Sequence, residues 1–190
     1  RSLRIWCAAA SSGQEPYSIA MILNEMAAKF GGWKTDIVGT DISTEILDKA
    51  EKGIYSQFEV QRGLPVQFLV KYFEKAEENW QISDVLKKMI QYKEFNLLKD
   101  LQSLGKFDIV FCRNVLIYFD QETKGKVLEQ ICRLMPDDGL LFLGGAETVL
   151  GISDRFKPVP NFRGLYQVSN ANEGNAFEQH PAVANSEHAS

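Results

Sequence analysis

Two carboxylates, Glu15 and Asp41, stand where a parallel sheet places ligand-binding groups. Glu15 lies in Arg4-Ile-Trp-Cys-Ala-Ala-Ala-Ser-Ser-Gly-Gln-Glu-Pro-Tyr-Ser-Ile-Ala20. That stretch reads as a short buried strand over Leu3 to Ala9, a loop of small residues and a helix opening at Pro16. Asp41 closes a second strand, Thr35-Asp-Ile-Val-Gly-Thr-Asp41. A strand, a tight small-residue loop, a helix and then a strand ending on an acid is an arrangement that holds an adenosine cofactor. The loop lets backbone approach the ligand, and the acid accepts from the two ribose hydroxyls. These residues alone do not say which adenosine cofactor.

The elements that must position these groups follow from apolar spacing. Tyr17, Ile19, Ala20, Ile22, Leu23, Met26 and Ala27 recur at helical intervals, and Gly31-Gly32 is expected to end that helix. Ser43 or Thr44 suits the N-cap of a helix over 45–52, stopped by Gly53. Strand, helix, strand, helix at this rhythm predicts parallel strands joined by right-handed crossovers. The rhythm breaks over 54–88, which is read as an insertion packing on the sheet as a small subdomain with helical content. A short amphipathic helix is expected there after Pro65. Met89 to Asn96 then alternates like a strand, and Phe107 to Cys112 is the continuous apolar run of a strand buried on both faces. Val127, Leu128, Ile131 and Leu134 share one face of a helix over 121–134, stopped by Pro136-Asp-Asp-Gly139, and Leu140 to Leu143 forms the next strand. Residues 156–159 and 164–168 read as a closing antiparallel hairpin. The expected organisation is one domain over 1–168, with 169–190 a polar tail expected to be disordered.

At 190 residues and 45% hydrophobic, the chain is long enough to bury one core. A formal net charge of −4 argues against a nucleic-acid partner, which calls for a basic face. Cys7, Cys112 and Cys132 are widely spaced and odd in number, with no metal-ligand spacing, so a reduced, cytoplasmic protein is expected. No apolar run approaches the roughly 20 residues of a membrane span, and insertion into a membrane is not expected. The chain opens at Arg1 without a methionine, two residues ahead of a strand, and is expected to be a piece of something longer.

Three segments together resemble the CheR family of S-adenosylmethionine-dependent methyltransferases, which esterify glutamate side chains on bacterial chemotaxis receptors. They are Ala8-Ala-Ala-Ser-Ser-Gly-Gln-Glu-Pro-Tyr-Ser18, Phe107-Asp-Ile-Val-Phe-Cys-Arg-Asn-Val-Leu-Ile-Tyr-Phe-Asp120 and Pro136-Asp-Asp-Gly-Leu-Leu-Phe142. The first two are specific, and the similarity covers about Leu3 to Val168. The resemblance implies an α/β, Rossmann-like class I methyltransferase fold: a doubly wound, mostly parallel sheet with a closing antiparallel hairpin and a small inserted subdomain. It implies S-adenosylmethionine as cofactor, with S-adenosylhomocysteine as product, and cofactor contacts from Glu15, Asp41, Asn96, Leu97, Asn114 and Val115. Asp41 would take the ribose hydroxyls, Asn96 and Leu97 would flank adenine, and Glu15 would pair with the cationic amino group. Tyr118 and Arg113 are the groups expected near the incoming carboxylate. No metal is implied. The implied partner is the cytoplasmic domain of a chemotaxis receptor.

Family members also carry a preceding helical domain and linker, so the site in this chain is expected to lack one wall. Members that bind a receptor's C-terminal pentapeptide use a glycine-rich hairpin in the inserted subdomain. The matching stretch here, 74–88, contains no glycine, so tethering by a pentapeptide is not expected.

Methyl transfer to a carboxylate uses a nucleophile already ionised at neutral pH, so the lack of a Ser-His-Asp or Cys-His constellation is no defect. His180 and His188, the only histidines, lie in the tail. Two competing functions share parts of this pattern. A nicotinamide-dependent dehydrogenase also uses an acid after its second strand, but the first loop here lacks G-x-G-x-x-G. An unneutralised Glu15 would also face the diphosphate. A cofactor-binding or partner-docking module without full catalytic competence is the non-enzymatic alternative. Each candidate has a structural role to set beside the chemical one. Glu15 favours a helix N-terminus, Asp41 caps a turn, Asn114 caps the segment after its strand, and Tyr118 packs with a wet hydroxyl.

Overall fold

The computed structural model describes residues 1–169. The expected disordered tail therefore lies, apart from Ser169, outside the described residues.

Alternation along the first strand determines how the core divides. In β1 (Ser2–Cys7), Trp6 and then Ala8 point to one face of the sheet, and Ile5 and Cys7 to the other. β2 (Lys34–Asp41) repeats the division with Val38 and Ile37. Helices must cover both faces, because both carry apolar side chains. On one side lies α1 (Gln14–Glu25). On the other, α6 (Gln121–Arg133) buries Val127, Leu128, Ile131 and Cys132. With β6 (Ile90–Glu94), β7 (Ile109–Cys112), β8 (Leu140–Leu143), β9 (Phe156–Pro158) and β10 (Leu165–Val168), the sheet has seven strands in the order β6-β2-β1-β7-β8-β10-β9. The first five of these run parallel, and β10 enters antiparallel between β8 and β9. The fold is thus α/β, doubly wound and mostly parallel, closed by an antiparallel pair.

At the centre, Trp6 Nε1 donates to Thr40 Oγ1 at 2.9 Å, and that hydroxyl donates on to the Ala8 carbonyl at 3.1 Å. Thr40 is fully buried, so this chain of bonds satisfies groups that water cannot reach. It also fixes where the backbone leaves β1. Ala8 N bonds Phe111 O on one neighbour and Ala10 N bonds Thr40 O on the other.

Two features depart from the sequence expectation. α1 ends at Glu25 rather than at Gly31-Gly32, and residues 26–32 form consecutive tight turns such as Lys29 N to Met26 O and Trp33 N to Phe30 O. The helix end is held by side chains instead: Asn24 Nδ2 donates to Tyr72 Oη, and Glu25 accepts from Lys71 Nζ and from Tyr72 Oη. In the stretch after α2 (Thr44–Lys52), helices are present as expected: α3 (Gln57–Gln61), α4 (Val66–Tyr72) and α5 (Asp84–Lys87). Also present, and not foreseen, is a second antiparallel sheet of β3 (Ile54–Ser56), β5 (Asn79–Ile82) and β4 (Phe73–Ala76), in that order. Strands of three or four residues are too short for a period of two to show in the sequence.

The loops at the carboxyl ends of β7 and β8 are gathered by one side chain, Glu147. Its Oε1 accepts from Asn114 N at 2.6 Å and Gly144 N at 2.9 Å, and its Oε2 from Val115 N at 3.2 Å and Ile117 N at 3.3 Å. Gly144 is needed for the close approach, since a Cβ there would lie 2.3 Å from Asn114 Oδ1 and 2.7 Å from Glu147 Oε1. Asn114 itself takes a left-handed backbone conformation, φ +59°, which asparagine tolerates better than most residues. Removing the carboxylate leaves four amides without their acceptor, two of them at exposed positions where water replaces it. Glu147→Ala is therefore expected to lower unfolding free energy by about 1–3 kcal/mol, with Glu147→Gln losing less, as read from urea denaturation.

Candidate functional site

Asp41 ends β2 with its carboxylate turned toward the first loop. Ser11 N donates to Oδ2 at 3.0 Å and Ser43 N to Oδ1 at 3.1 Å. The acid thereby holds the loop after β1 and the N-cap residue of α2 together, while each oxygen keeps acceptor capacity for a further donor. The helix it leads into is capped by Ser43 Oγ, not by Asp41, so the acid is not consumed as a helix cap.

Next along the sheet, the chain leaving β6 turns at Asn96, whose Oδ1 accepts from Leu98 N at 2.9 Å. That bond leaves the Asn96 amide nitrogen available as a donor and fixes Leu97 toward the core, where it is buried. Asp41, Asn96, Leu97, Val115 and Tyr118 line one cavity of about 270 Å³, together with Ala8, Ala9, Phe95 and Phe119. Five of the eight residues singled out from the sequence therefore share one space. Its volume lies just below the roughly 300–1,000 Å³ of pockets that take a whole small ligand. The cavity suits the flat, apolar part of a ligand together with a hydroxylated group at Asp41. Tyr118 stands at its mouth, 78% exposed.

The remaining three residues lie beside this cavity. Glu15, in the first turn of α1, accepts from Arg113 Nη1 at 3.2 Å, across the carboxyl ends of β1 and β7. Burial raises the Glu15 pKa above its usual range, and Arg113 pulls it back only in part. The Cys7 thiol is pushed up by burial and then by the Glu15 charge, so it stays protonated. The expectation of an unneutralised Glu15 is corrected here, because the Arg113 guanidinium pairs with it. Arg113 is correspondingly drawn back over the helix start, with its side chain about half exposed. Asn114 makes no capping bond to the segment that follows; its backbone amide goes to Glu147 and its side chain packs against Gly144.

Glu147 was not singled out from the sequence. The signal present was an acid three residues after the glycine at which β8 ends, at the same sheet edge as Asp41. The three cysteines are buried and free, and no group of acids, cysteines or histidines able to hold a metal occurs among the described residues. No helix among the described residues is long and apolar enough to cross a membrane.

The donor set suits S-adenosylmethionine. An ionisable acid with spare acceptor capacity faces an apolar slot, an amide donor lines the slot, and a second carboxylate lies beyond it for a cation. Comparison with known proteins points the same way. Residues 1–164 match the family model described as CheR methyltransferase, SAM binding domain. Chemotaxis protein methyltransferase 1 of Vibrio cholerae is 41% identical over 162 residues, covering 84% of this chain and 59% of that protein. Chemotaxis protein methyltransferase Cher2 of Pseudomonas putida is 42% identical over 161 residues, covering 83% and 58%. The Escherichia coli chemotaxis protein methyltransferase is 41% identical over 159 residues, covering 80% and 54%. The chain thus spans a little over half the length of these relatives. With its sheet order, its two acids and its matched length, the chain belongs to the CheR methyltransferase family, as its S-adenosylmethionine-binding domain.

Proposed function

We propose that this chain is the cofactor-binding and catalytic part of an O-methyltransferase that forms glutamate methyl esters on the cytoplasmic domains of chemotaxis receptors. The observation that carries this reading is the convergence of Asp41, Asn96, Leu97, Val115 and Tyr118 on one cavity beside the Glu15 carboxylate. Relatives named as chemotaxis protein methyltransferases support the substrate class. When bound, S-adenosylmethionine supplies a methyl group on a positively charged sulfur. The chain's own residues do the rest. Asp41 accepts from the ribose hydroxyls, Asn96 and Leu97 flank the adenine, Asn114 and Val115 form the wall at the end of β7, and Glu15 holds the ammonium. Arg113 and Tyr118 orient the receptor carboxylate. That carboxylate is ionised at neutral pH, so no group has to take a proton. The rate would come from these residues holding the receptor carboxylate in place against the bound cofactor.

The inserted subdomain bears on how the receptor is held. The β4–β5 hairpin turns at Glu77, which takes φ +54°, and 74–88 has no glycine. A turn position suited to glycine is occupied by an exposed acid, so the receptor is engaged without a pentapeptide tether. The enzyme acts in the cytoplasm, where its substrate lies and where three free thiols stay reduced.

The direct test is transfer of radiolabelled methyl from S-adenosylmethionine to receptor cytoplasmic fragments, with and without the upstream domain. Base-labile label on glutamate is expected in the presence of that domain, and weak or no transfer in its absence. Tight NAD binding with no response to S-adenosylhomocysteine would overturn the reading.

Asp41→Ala is expected to weaken S-adenosylhomocysteine by about 1–3 kcal/mol in calorimetry. Asp41→Asn, which keeps an acceptor for one of the two backbone amides, should fall between the variant and the parent. Unchanged affinity would place the ribose elsewhere.

The Glu15 shift gives a pH dependence with a definite sign. Its carboxyl titrates above the ordinary 4.5 because burial disfavours the charge. An ammonium partner needs the ionised form. Affinity for S-adenosylhomocysteine should thus be full at neutral pH and fall on acidification through the raised pKa, starting at a higher pH than an exposed glutamate would give. Stability moves the opposite way, since the cost of burying the charge is relieved as the group protonates. Glu15→Gln should bind more weakly and lose the acid limb of the binding profile, as followed by calorimetry in buffers from neutrality downward.

A further inference from the structure

The loop that follows β1 is supported from below by a residue that belongs to the inserted subdomain. Tyr55, the middle residue of β3, is 3% exposed and donates its hydroxyl to the Ser12 carbonyl at 2.6 Å. Its ring is locked edge-on against Tyr17 on one side and Phe73 on the other, with centroid separations of 6.3 Å in both cases. Burial drives the hydroxyl pKa well above its ordinary value, so it remains a donor at any working pH. The next residue, Gly13, has φ +95°, and a Cβ there would come within 2.8 Å of Tyr92 Oη and 3.1 Å of Tyr55 Oη. The loop thus turns directly on a tyrosine floor, and only glycine fits the turn.

Three tyrosine hydroxyls share this floor but do different things. Tyr17 donates to Ala50 O of α2 at 2.6 Å, away from the loop. Tyr92 Oη is buried and forms no hydrogen bond. The Tyr17 hydroxyl lies near enough to act on it electrostatically. Only Tyr55 bonds the loop. On the opposite side the loop is held at Ser11 N by Asp41. Adjacent residues, Ser11 and Ser12, are therefore pinned by two side chains, one at the sheet edge and one from the insertion.

We infer that Tyr55 is a positioning residue for cofactor binding. Through the Ser12 carbonyl, the three-stranded subdomain holds the 8–13 loop in its binding conformation, so that the insertion takes part in cofactor affinity. This rests on the reading of the site as one for S-adenosylmethionine. If the hydroxyl is lost, the loop samples other conformations, and apparent affinity falls by the fraction of time it spends in them.

The test uses the chain itself with S-adenosylhomocysteine as probe. Tyr55→Phe keeps the ring and removes only the donor. Its dissociation constant is expected to rise about three- to tenfold, the range that a single net hydrogen bond spans. Amide hydrogen exchange should quicken in residues 8–14 and stay unchanged in β2 and β7. Tyr92→Phe, which removes a hydroxyl from the same floor but no bond to the loop, should bind within twofold of the parent. Installing 4-aminophenylalanine at position 55 returns an N–H donor and should restore affinity. This arm also keeps the inference testable if Tyr55→Phe folds poorly. Affinity of Tyr55→Phe equal to that of the parent would overturn the inference, as would exchange that quickens across the whole sheet. Failure of the parent chain to bind S-adenosylhomocysteine would instead overturn the cofactor reading beneath it.

Discussion

Backbone amides at the carboxyl edge of a parallel sheet have no ladder to join once their strands end, and the organisation of this site follows from how they are satisfied. An amide left without an acceptor costs more the less water reaches it, and three of the six amides here are part-buried. Here the acceptors are carboxylates on neighbouring elements. Asp41 takes Ser11 N and Ser43 N, and Glu147 takes Gly144, Asn114, Val115 and Ile117. The two acids stand on opposite sides of the β1–β7 centre of the sheet, so the loops after β1 and β7 are each tied to an element they do not follow in sequence. The cavity keeps its shape because its rim is cross-linked by these bonds.

This arrangement removes the opposition between a structural and a chemical role for Asp41. An acid that only capped a turn would have its oxygens committed, and one reserved for a ligand would leave the turn amides unpaired. Each Asp41 oxygen accepts one backbone amide and can accept again. The structural bonds fix the orientation of the carboxylate and leave it able to accept from a further donor. Glu15 differs: it accepts no backbone amide among the described bonds, and its ionised form depends on a cation. Arg113 is that cation in this structure, at 3.2 Å, and a ligand ammonium would be another.

Much of the fold was legible because its signals are long. The apolar run of β7, the helical stripe of α6 and the β1-loop-α1 unit each span enough residues for periodicity to decide. The early end of α1 was not, because the side chains that bond its last residues, Lys71 and Tyr72, come from the insertion and not from the local sequence. The small sheet was missed for a related reason. Its strands gain their stability from pairs such as Tyr55 with Trp80, which are distant in sequence and too short to set a pattern. In the site, Glu15 and Asp41 stood out by their places at a helix start and a strand end, and Asn96, Leu97, Asn114 and Val115 only through the family resemblance, while contacts made across the sheet left no local signal. Glu147 lies 33 residues from the Asn114 amide it holds, and the pairing of Arg113 with Glu15 spans 98.

The same point bears on why an insertion sits between β2 and β6. The helix that would otherwise cross there needs only to return the chain to the sheet. Instead α2 ends at Gly53, and the chain passes at once into β3, which brings Tyr55 beneath the first loop. A single residue, Ile54, thus separates the helix cap from Tyr55 and its contact with the loop after β1. An element grafted at a distant edge would have had to reach this position with a long side chain, at a cost in rotamer entropy. Placed here, a rigid aromatic packed on both sides delivers a donor with little freedom left to lose. The loop after β1 is therefore a joint product of the sheet and the insertion, with its Ser11 amide held by one and its Ser12 carbonyl by the other.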